Sequence, residues 1–189
     1  MAINLVESVQ QKLNVDKLQK IDPDTSKVID AEKPSDKFYQ LAIPVVLTGL
    51  YSFTRIDKDN RDILNLKSEN LLSSFFGENN NTVMAKIADI TKTPLDEIRH
   101  KLQNIAGAVI GTLKENLSEK PLDSDVKDFL TGQRHNILLY LDPALQLGKY
   151  IEDETIDDST NKMEGPVSDL MHKIGQIFSE SGNDKKEEI

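Results

Sequence analysis

The amino-acid sequence predicts an all-α protein, an irregular bundle of about eight helices with negligible strand content. Three observations support this fold class. Apolar residues recur three or four positions apart in most segments, which is the spacing of an amphipathic helix. Ser, Thr or Asp precedes several of these segments and can cap a first helical turn. Glycine or proline stands where several of the segments would end or begin.

The first two predicted helices span residues 4–13 and 36–55. The second has a broad apolar face, and the Ser35 hydroxyl stands where it can accept a hydrogen bond from the first turn. Pro44 lies inside this helix, lacks an N–H and clashes with the carbonyl of Gln40. We therefore expect a kink or a break there.

A short helix is predicted immediately before Gly77, which is well placed to end it in a left-handed conformation. Ser68 is the expected cap of this helix. The three asparagines at 79–81 are expected to form a loop before a further helix over residues 82–90.

The long helix predicted over residues 94–117 is the expected central member of the bundle. Thr93 is its candidate cap, and Pro94 stands at the first helical position, where a missing N–H costs nothing. Replacing a capping Thr93 by alanine should cost about 1 kcal/mol. The apolar positions form one continuous stripe, made of Leu95, Ile98, Leu102, Ile105 and Val109.

Residues 105–111 of this helix are apolar all round, which predicts burial on every side. Gly107 and Gly111 lie one turn apart and would let a neighbouring helix approach closely. Residues 41–48 and 105–112 also share an aliphatic-Ala-x-x-Val-aliphatic-x-Thr pattern. This similarity suggests two hairpins of one kind facing each other across a pseudo-two-fold axis.

Two further helices are predicted over residues 125–131 and 134–141, with Ser124 as the cap of the first and Gly132 as its end. A last short helix of the bundle follows, and Asp142 is its expected cap.

The chain changes character after the bundle domain, which is expected to cover residues 1–150. Residues 151–164 are predicted to be an acidic linker, because they contain six acidic residues and one lysine. Residues 165–179 predict an amphipathic helix, and residues 180–189 a disordered tail. A lone helix of this length is marginal in water, so it should dock on its own bundle, on a second copy or on another protein.

The composition excludes several functional classes. A net charge of −9 disfavours nucleic acids and anionic membrane surfaces, and the lack of cysteine excludes disulfides, thiolate catalysis and Cys-based zinc sites. The most apolar stretch, residues 41–51, has eleven residues, whereas a membrane-spanning helix needs roughly 20. The first residues lack the pattern of a secretory signal. We expect a cytoplasmic protein with no membrane span.

A family resemblance rests on Leu71-Leu72-Ser73-Ser74-Phe75-Phe76-Gly77, the next helix up to Ile90, and Thr93-Pro94 before a long helix. In this order the residues resemble the YidB-like bacterial domain, a family of unknown function. The resemblance covers about residues 38–117, and Glu78 replaces the second stop glycine of the usual pattern. It implies an all-helical fold and a bacterial source, and it supplies no catalytic residues.

No constellation of residues points to a specific chemistry. His100, His135 and His172 are far apart and form no HExxH or HxH motif. Oxygen ligands recur at EF-hand spacing from Asp153 onward, but Asp158 stands where the calcium loop needs glycine, so we interpret this segment as a solvated linker. We assign no catalytic, cofactor-binding or metal-binding residues and expect no cofactor.

The sequence therefore predicts a non-catalytic protein that acts through protein–protein interaction or as a structural or regulatory module. Residues 165–179 are the candidate contact with a protein partner or a second copy. The alternative is a helical enzyme or small-ligand-binding protein whose site is assembled from distant residues. A pocket lined by several titratable groups would support that alternative, whereas a continuous exposed apolar groove would support binding.

Overall fold

The computed structural model describes residues 3–21, 34–55 and 61–151, which form an all-α bundle without strands in these ranges. The predicted fold class is confirmed. Residues 152–189, with the predicted acidic linker, the helix at 165–179 and the tail, lie outside the described residues. The α-helices are α1 Leu5–Leu13, α2 Pro34–Arg55, α3 Leu71–Phe76, α4 Asn80–Thr91, α5 Leu95–Asn116, α6 Asp123–Leu138 and α7 Gly148–Ile151. Shorter 3-10 turns occupy Arg61–Asn65, Ser68–Asn70, Gly77–Asn79 and Pro143–Leu145.

Two long helices, α2 and α5, form the centre of the bundle. Each has 22 residues, and they pack against each other and against α1, α3 and α4, while α6 packs on α2. Burial of apolar side chains from all these helices is the main favourable contribution to folding. The largest fully buried side chains of the two central helices are Phe38, Ile43, Leu47, Leu50, Ile98, Leu102 and Ile105.

Helix α2 runs without a break through Pro44, so of the expected kink or break the break is wrong, and the kink stays a prediction. Every residue from 40 to 54 is buried, and this packing outweighs the roughly 3 kcal/mol that an internal proline costs. The helix also begins at Pro34, two residues earlier than expected. Ser35 therefore lies inside the first turn and not at the cap.

The short helix before Gly77 ends where the sequence predicts, but the predicted cap before it and the predicted loop after it are not found. Gly77 ends α3, as expected, with a positive φ of +52°, but its ψ of −131° lies outside the expected left-handed helical conformation. Ser68 lies in a 3-10 turn, and the cap position of α3 is taken by Asn70 without a side-chain hydrogen bond. The loop expected at 79–81 is wrong, because a 3-10 turn leads directly into α4 at Asn80.

Helix α5 starts one residue later than predicted, and this removes the cap. Pro94 occupies the cap position with φ −57° and ψ 142°, and its carbonyl accepts the first helical hydrogen bond, from Ile98 N, at 3.0 Å. The Thr93 hydroxyl lies upstream of the orphan N–H groups and donates to Thr91 O at 3.4 Å. The prediction that Thr93 caps α5 is therefore wrong.

Helix α6 joins the two helices that we predicted as separate. It passes through Gly132, whose cost of roughly 1 kcal/mol is offset by burial of Val126, Leu130 and Ile137. Ser124 lies within the helix and is not its cap. The helix predicted after Asp142 is replaced by the 3-10 turn and by α7.

The glycines of α5 have different surroundings from those expected. Burial of residues 105–111 on every side is wrong, because Gly107, Ala108 and Gly111 are half-buried. A Cβ at Gly107 would meet nothing within 4 Å, whereas one at Gly111 would lie 2.9 Å from the Lys12 side chain. The closest approach is at Gly49 of α2, where a Cβ would lie 2.5 Å from the Phe76 ring.

The two similar segments lie on α2 and α5, which pack against each other. Their equivalent threonines make the same bond: Thr48 donates to Pro44 O at 2.7 Å and Thr112 to Ala108 O at 2.9 Å. The pseudo-two-fold relation between two hairpins stays a prediction.

Candidate functional site

The titratable side chains singled out in the sequence are not brought together. His100 and His135 are exposed on α5 and α6. Within residues 3–21, 34–55 and 61–151, no three His, Asp or Glu side chains are grouped so that they could hold a metal ion. His172 and the EF-hand-like spacing from Asp153 lie outside the described residues.

A shallow cleft lies between α2 and α6. Its walls leave no space for a water-sized molecule, whereas small-molecule pockets usually measure about 300–1,000 Å³. The Thr48 hydroxyl in its wall is already bonded to Pro44 O. This cleft therefore has no room for a ligand. It is lined by Thr48, Tyr51, Arg134, Ile137 and Leu138.

The most distinctive polar arrangement holds residues 143–151, which we call the C-terminal strap. Three side chains from different elements donate to its main-chain carbonyls. Lys86 Nζ of α4 donates to Leu145 O. Asn79 Nδ2 donates to Tyr150 O at 2.9 Å, and Ser52 Oγ of α2 donates to Ile151 O at 3.2 Å.

Packing adds to these hydrogen bonds. Leu145 and Leu147 of the strap are buried in the core, and the Lys86 ammonium lies 5.1 Å from the centre of the Tyr150 ring. A cation at this distance from an aromatic face is attracted by the ring quadrupole. The strap therefore fixes the place on the bundle from which the rest of the chain continues.

The strap also marks a change in charge. Residues 1–151 contain 21 acidic and 19 basic residues, a net −2, whereas residues 152–189 contain 11 acidic and 4 basic residues, a net −7. Arg55, three residues after Ser52 on α2, is exposed, and its guanidinium lies 5.8 Å from the centre of the Tyr51 ring. The residues up to the end of the strap are thus nearly neutral in sum, whereas the residues that follow it are strongly acidic.

Exposed apolar surface is scarce in the part of the chain that the structure describes. Leu95 and Leu122 are the large hydrophobic side chains exposed there, at 42% and 63%. Leu95 opens α5 and Leu122 follows its other end, so about 30 Å of helix separates the two positions along the chain. They do not form a continuous groove.

The site residues Ser52, Asn79 and Lys86 were not found from the sequence. Their hydrogen bonds reach partners 59 to 99 residues away, and such pairs produce no local periodicity or motif. The acidic run after Ile151 was the only sequence signal that pointed to this region.

The fold and the site define a class of protein: an all-α bundle with an anchored C-terminal strap. Comparisons with protein-family models, with curated proteins and with solved structures find no match. No described helix is long and apolar enough to cross a bilayer.

Proposed function

We propose that this chain is a non-catalytic helical protein that acts through protein–protein interaction, with residues 165–179 as its binding element. The observation that carries this proposal is the strict helical spacing of six apolar residues in a segment that follows an anchored strap. These residues are Val167, Leu170, Met171, Ile174, Ile177 and Phe178.

Energetics support docking of this segment on another protein. Burying each Leu, Ile or Phe side chain contributes roughly 1.5–3 kcal/mol, whereas an isolated helix of this length is marginal in water. The described bundle surface offers only Leu95 and Leu122 as widely exposed large hydrophobic side chains. An amphipathic helix that lays its apolar face into a partner's groove is a common mode of recognition.

Charge indicates the chemistry of the partner. Residues 152–189 carry a net charge of −7, and the segment that precedes the binding element is strongly acidic. A basic rim around the partner's apolar groove would steer the encounter and disfavour acidic competitors. We therefore expect association to slow as the salt concentration rises.

Truncation after Glu164 tests the proposal. The shortened chain should unfold in urea within about 0.5 kcal/mol of the full chain, because surface-directed changes rarely exceed this value. It should also lose the partner that cross-links to the full chain in its native cell. A loss of several kcal/mol would instead place residues 165–179 in the bundle core, and a concentration-dependent dimer lost on truncation would identify a second copy as the occupant.

Two matched double variants separate the apolar face from the polar face of the predicted helix. Leu170→Asp with Ile174→Asp should abolish cross-linking, because each aspartate would have to be buried. Asp169→Asn with Lys173→Gln should retain it. Equal loss in both variants would contradict binding through the apolar stripe.

We also propose that residues 38–117 are a YidB-like domain and that the protein is cytoplasmic and bacterial. The resemblance is supported by the order of α3, the positive φ of Gly77, α4 and the long α5. An experimental structure of a YidB-like domain tests it, and a different order of packed helices would contradict it. Cell fractionation of the source organism tests the location.

A further inference from the structure

The C-terminal strap contains a strained residue between its two buried leucines. Gln146 is exposed and has φ +47°, whereas Leu145 and Leu147 on either side of it are buried in the core. A residue with a Cβ rarely adopts this left-handed conformation, and it keeps it only where the surrounding structure holds it there. Asn14 and Lys92 also have positive φ, but each ends an α-helix, where this conformation is common. The strap is therefore held closed against a local conformational cost.

One side chain contacts the strap on both sides of this strained residue. Lys86 of α4 donates from Nζ to Leu145 O, and the same ammonium lies 5.1 Å from the centre of the Tyr150 ring. Leu145 precedes Gln146 and Tyr150 follows it, so Lys86 connects the two halves of the strap. A charged donor bonds a carbonyl more strongly than a neutral donor does, and the attraction to the ring also depends on the positive charge. Since the other two donors to the strap are neutral, Lys86 is the strongest of the three.

Two main-chain amides of the strap depend on its closure. Leu145 N donates to Asp142 O at 3.1 Å, and Tyr150 N donates to Leu147 O at 2.9 Å. These bonds belong to a 3-10 turn and to a helix of four residues, and such short elements are not stable away from the bundle. Detachment of the strap therefore exposes both amides to water, one on each side of Gln146.

We propose that Lys86 is a latch that holds the strained strap closed, and that residues 143–151 open as one unit when its contacts are lost. Opening adds these residues to the chain that follows the bundle and extends its reach by at most about 30 Å. The effect of this longer reach on partner binding rests on the proposed function of residues 165–179, whereas the latch itself does not.

Amide hydrogen exchange of the full chain in dilute urea tests whether the strap opens by itself. The slope of the exchange free energy against urea measures the surface that an opening exposes. Leu145 and Tyr150 should exchange through one opening with a small slope, whereas amides in the middle of α5 should show a slope close to that of global unfolding.

A substitution of Lys86 tests the latch. Lys86→Met keeps the apolar stem and removes the charge, and it should accelerate exchange at Leu145 and Tyr150 by one common factor of about ten, because a lost hydrogen bond to a charged group has an effect of this size. Lys92→Met is the matched control. Lys92 is exposed and pairs with Asp89 at 2.9 Å, so this variant should leave both strap amides unchanged.

Substitutions of Gln146 test the strain and have the opposite sign. Gln146→Gly removes the cost of the positive φ and should slow exchange at Leu145 and Tyr150 about threefold. Gln146→Ala keeps this cost and removes only the exposed side chain, whose Oε1 accepts from Lys149 Nζ at 3.2 Å. It should therefore leave the exchange rates close to those of the unchanged chain.

Three results would overturn the latch. The first is a urea slope at the strap as large as that in α5. The second is acceleration by Lys86→Met at only one of the two amides, or at neither. The third is exchange in Gln146→Gly that is no slower than in Gln146→Ala. Loss of the partner on truncation after Glu164 is a separate measurement, so failure of the latch and failure of the proposed function are distinguishable.

Discussion

The two ends of the described chain are attached to the bundle by different chemistry. Residues 3–21 are held by glutamine side chains, each of which both accepts and donates a main-chain hydrogen bond. The C-terminal strap is held by single donors that each reach one carbonyl. The comparison indicates that a bundle can hold one end of its chain by pairs of hydrogen bonds and the other end by single hydrogen bonds that open locally.

Three buried glutamines, Gln10, Gln40 and Gln133, attach the N-terminal end. Gln133, only 7% exposed, accepts from Leu5 N at 2.9 Å and donates to Ile3 O at 3.0 Å. Gln40 pairs in the same way with both main-chain groups of Gln19, at 2.7 and 2.9 Å. The amide side chain replaces a peptide group, so its removal leaves two main-chain groups without partners.

The strap depends on single bonds, so the loss of one side-chain donor leaves one carbonyl, and not two main-chain groups, without its partner. The carbonyls of Leu145, Tyr150 and Ile151 each receive one side-chain donor in a part-buried environment. A water molecule can take the place of a lost donor there at little cost. We therefore expect substitutions at the N-terminal end to change global stability and those at the strap to change local opening.

The largest effect is expected for Gln133→Ala, which should lower the free energy of unfolding by about 2–4 kcal/mol, because a buried N–H and a carbonyl lose their partners. Urea unfolding measures this as a lower midpoint with an unchanged slope. Gln11→Ala, an exposed position on α1, is the control and should change little. A loss below about 1 kcal/mol would contradict the view that the N-terminal attachment contributes more to global stability than the strap does.

Both ends are attached to α2, through Gln40 and Ser52, so a disturbance of α2 should affect them together. Gly49→Ala places a methyl group 2.5 Å from the buried Phe76 ring, and such overpacking should cost about 1–3 kcal/mol. Gly107→Ala meets open space and should stabilise α5 by up to about 1 kcal/mol. Thermal unfolding measures whether each variant has a lower or a higher melting temperature than the unchanged chain. A shift in the same direction for both variants would contradict the packing described for α2.

A smaller effect is expected for Ser52→Ala, which removes the last donor of the strap. Global stability should fall by about 0.5–1.5 kcal/mol, while amide exchange at 147–151 accelerates more than exchange in α1. Ser73→Ala is a matched control, since its exposed hydroxyl bonds only to Asn70 O, at the cap position of α3. Equal acceleration in α1 and in the strap would show that the two ends open together.

The sequence predicted those features of the fold that depend on local periodicity. The apolar stripes of α1, α2 and α5 and the stop at Gly77 are of this kind, because each repeats within a few residues. Continuity through Pro44 and Gly132 was missed, because burial of α2 and α6 decides it. Local signals favour a break at both positions, and only the packed bundle shows why none occurs.

The candidate site was less accessible to sequence reasoning. Glutamine is a common surface residue, and nothing near Gln133 in the sequence indicates that its partners are residues 3 and 5. The same holds for Gly49, whose neighbour Phe76 belongs to another helix. In contrast, the acidic character of residues 151–164 was evident, because composition alone reveals it.

The smallest effect is expected for Thr93→Ala. The sequence assigned Thr93 a cap worth about 1 kcal/mol, but its hydroxyl reaches only Thr91 O, at 3.4 Å. The free energy of unfolding should therefore change by less than about 0.5 kcal/mol.

Asn4 is the matched positive control, since its side-chain Oδ1 accepts from Val6 N at 3.1 Å and from Glu7 N at 3.3 Å. Asn4→Ala should cost about 1 kcal/mol, because both orphan N–H groups of α1 lose their acceptor. Urea unfolding of the two variants compares a true cap with an apparent one. A loss at Thr93 equal to that at Asn4 would mean that α5 begins at Pro94 in solution.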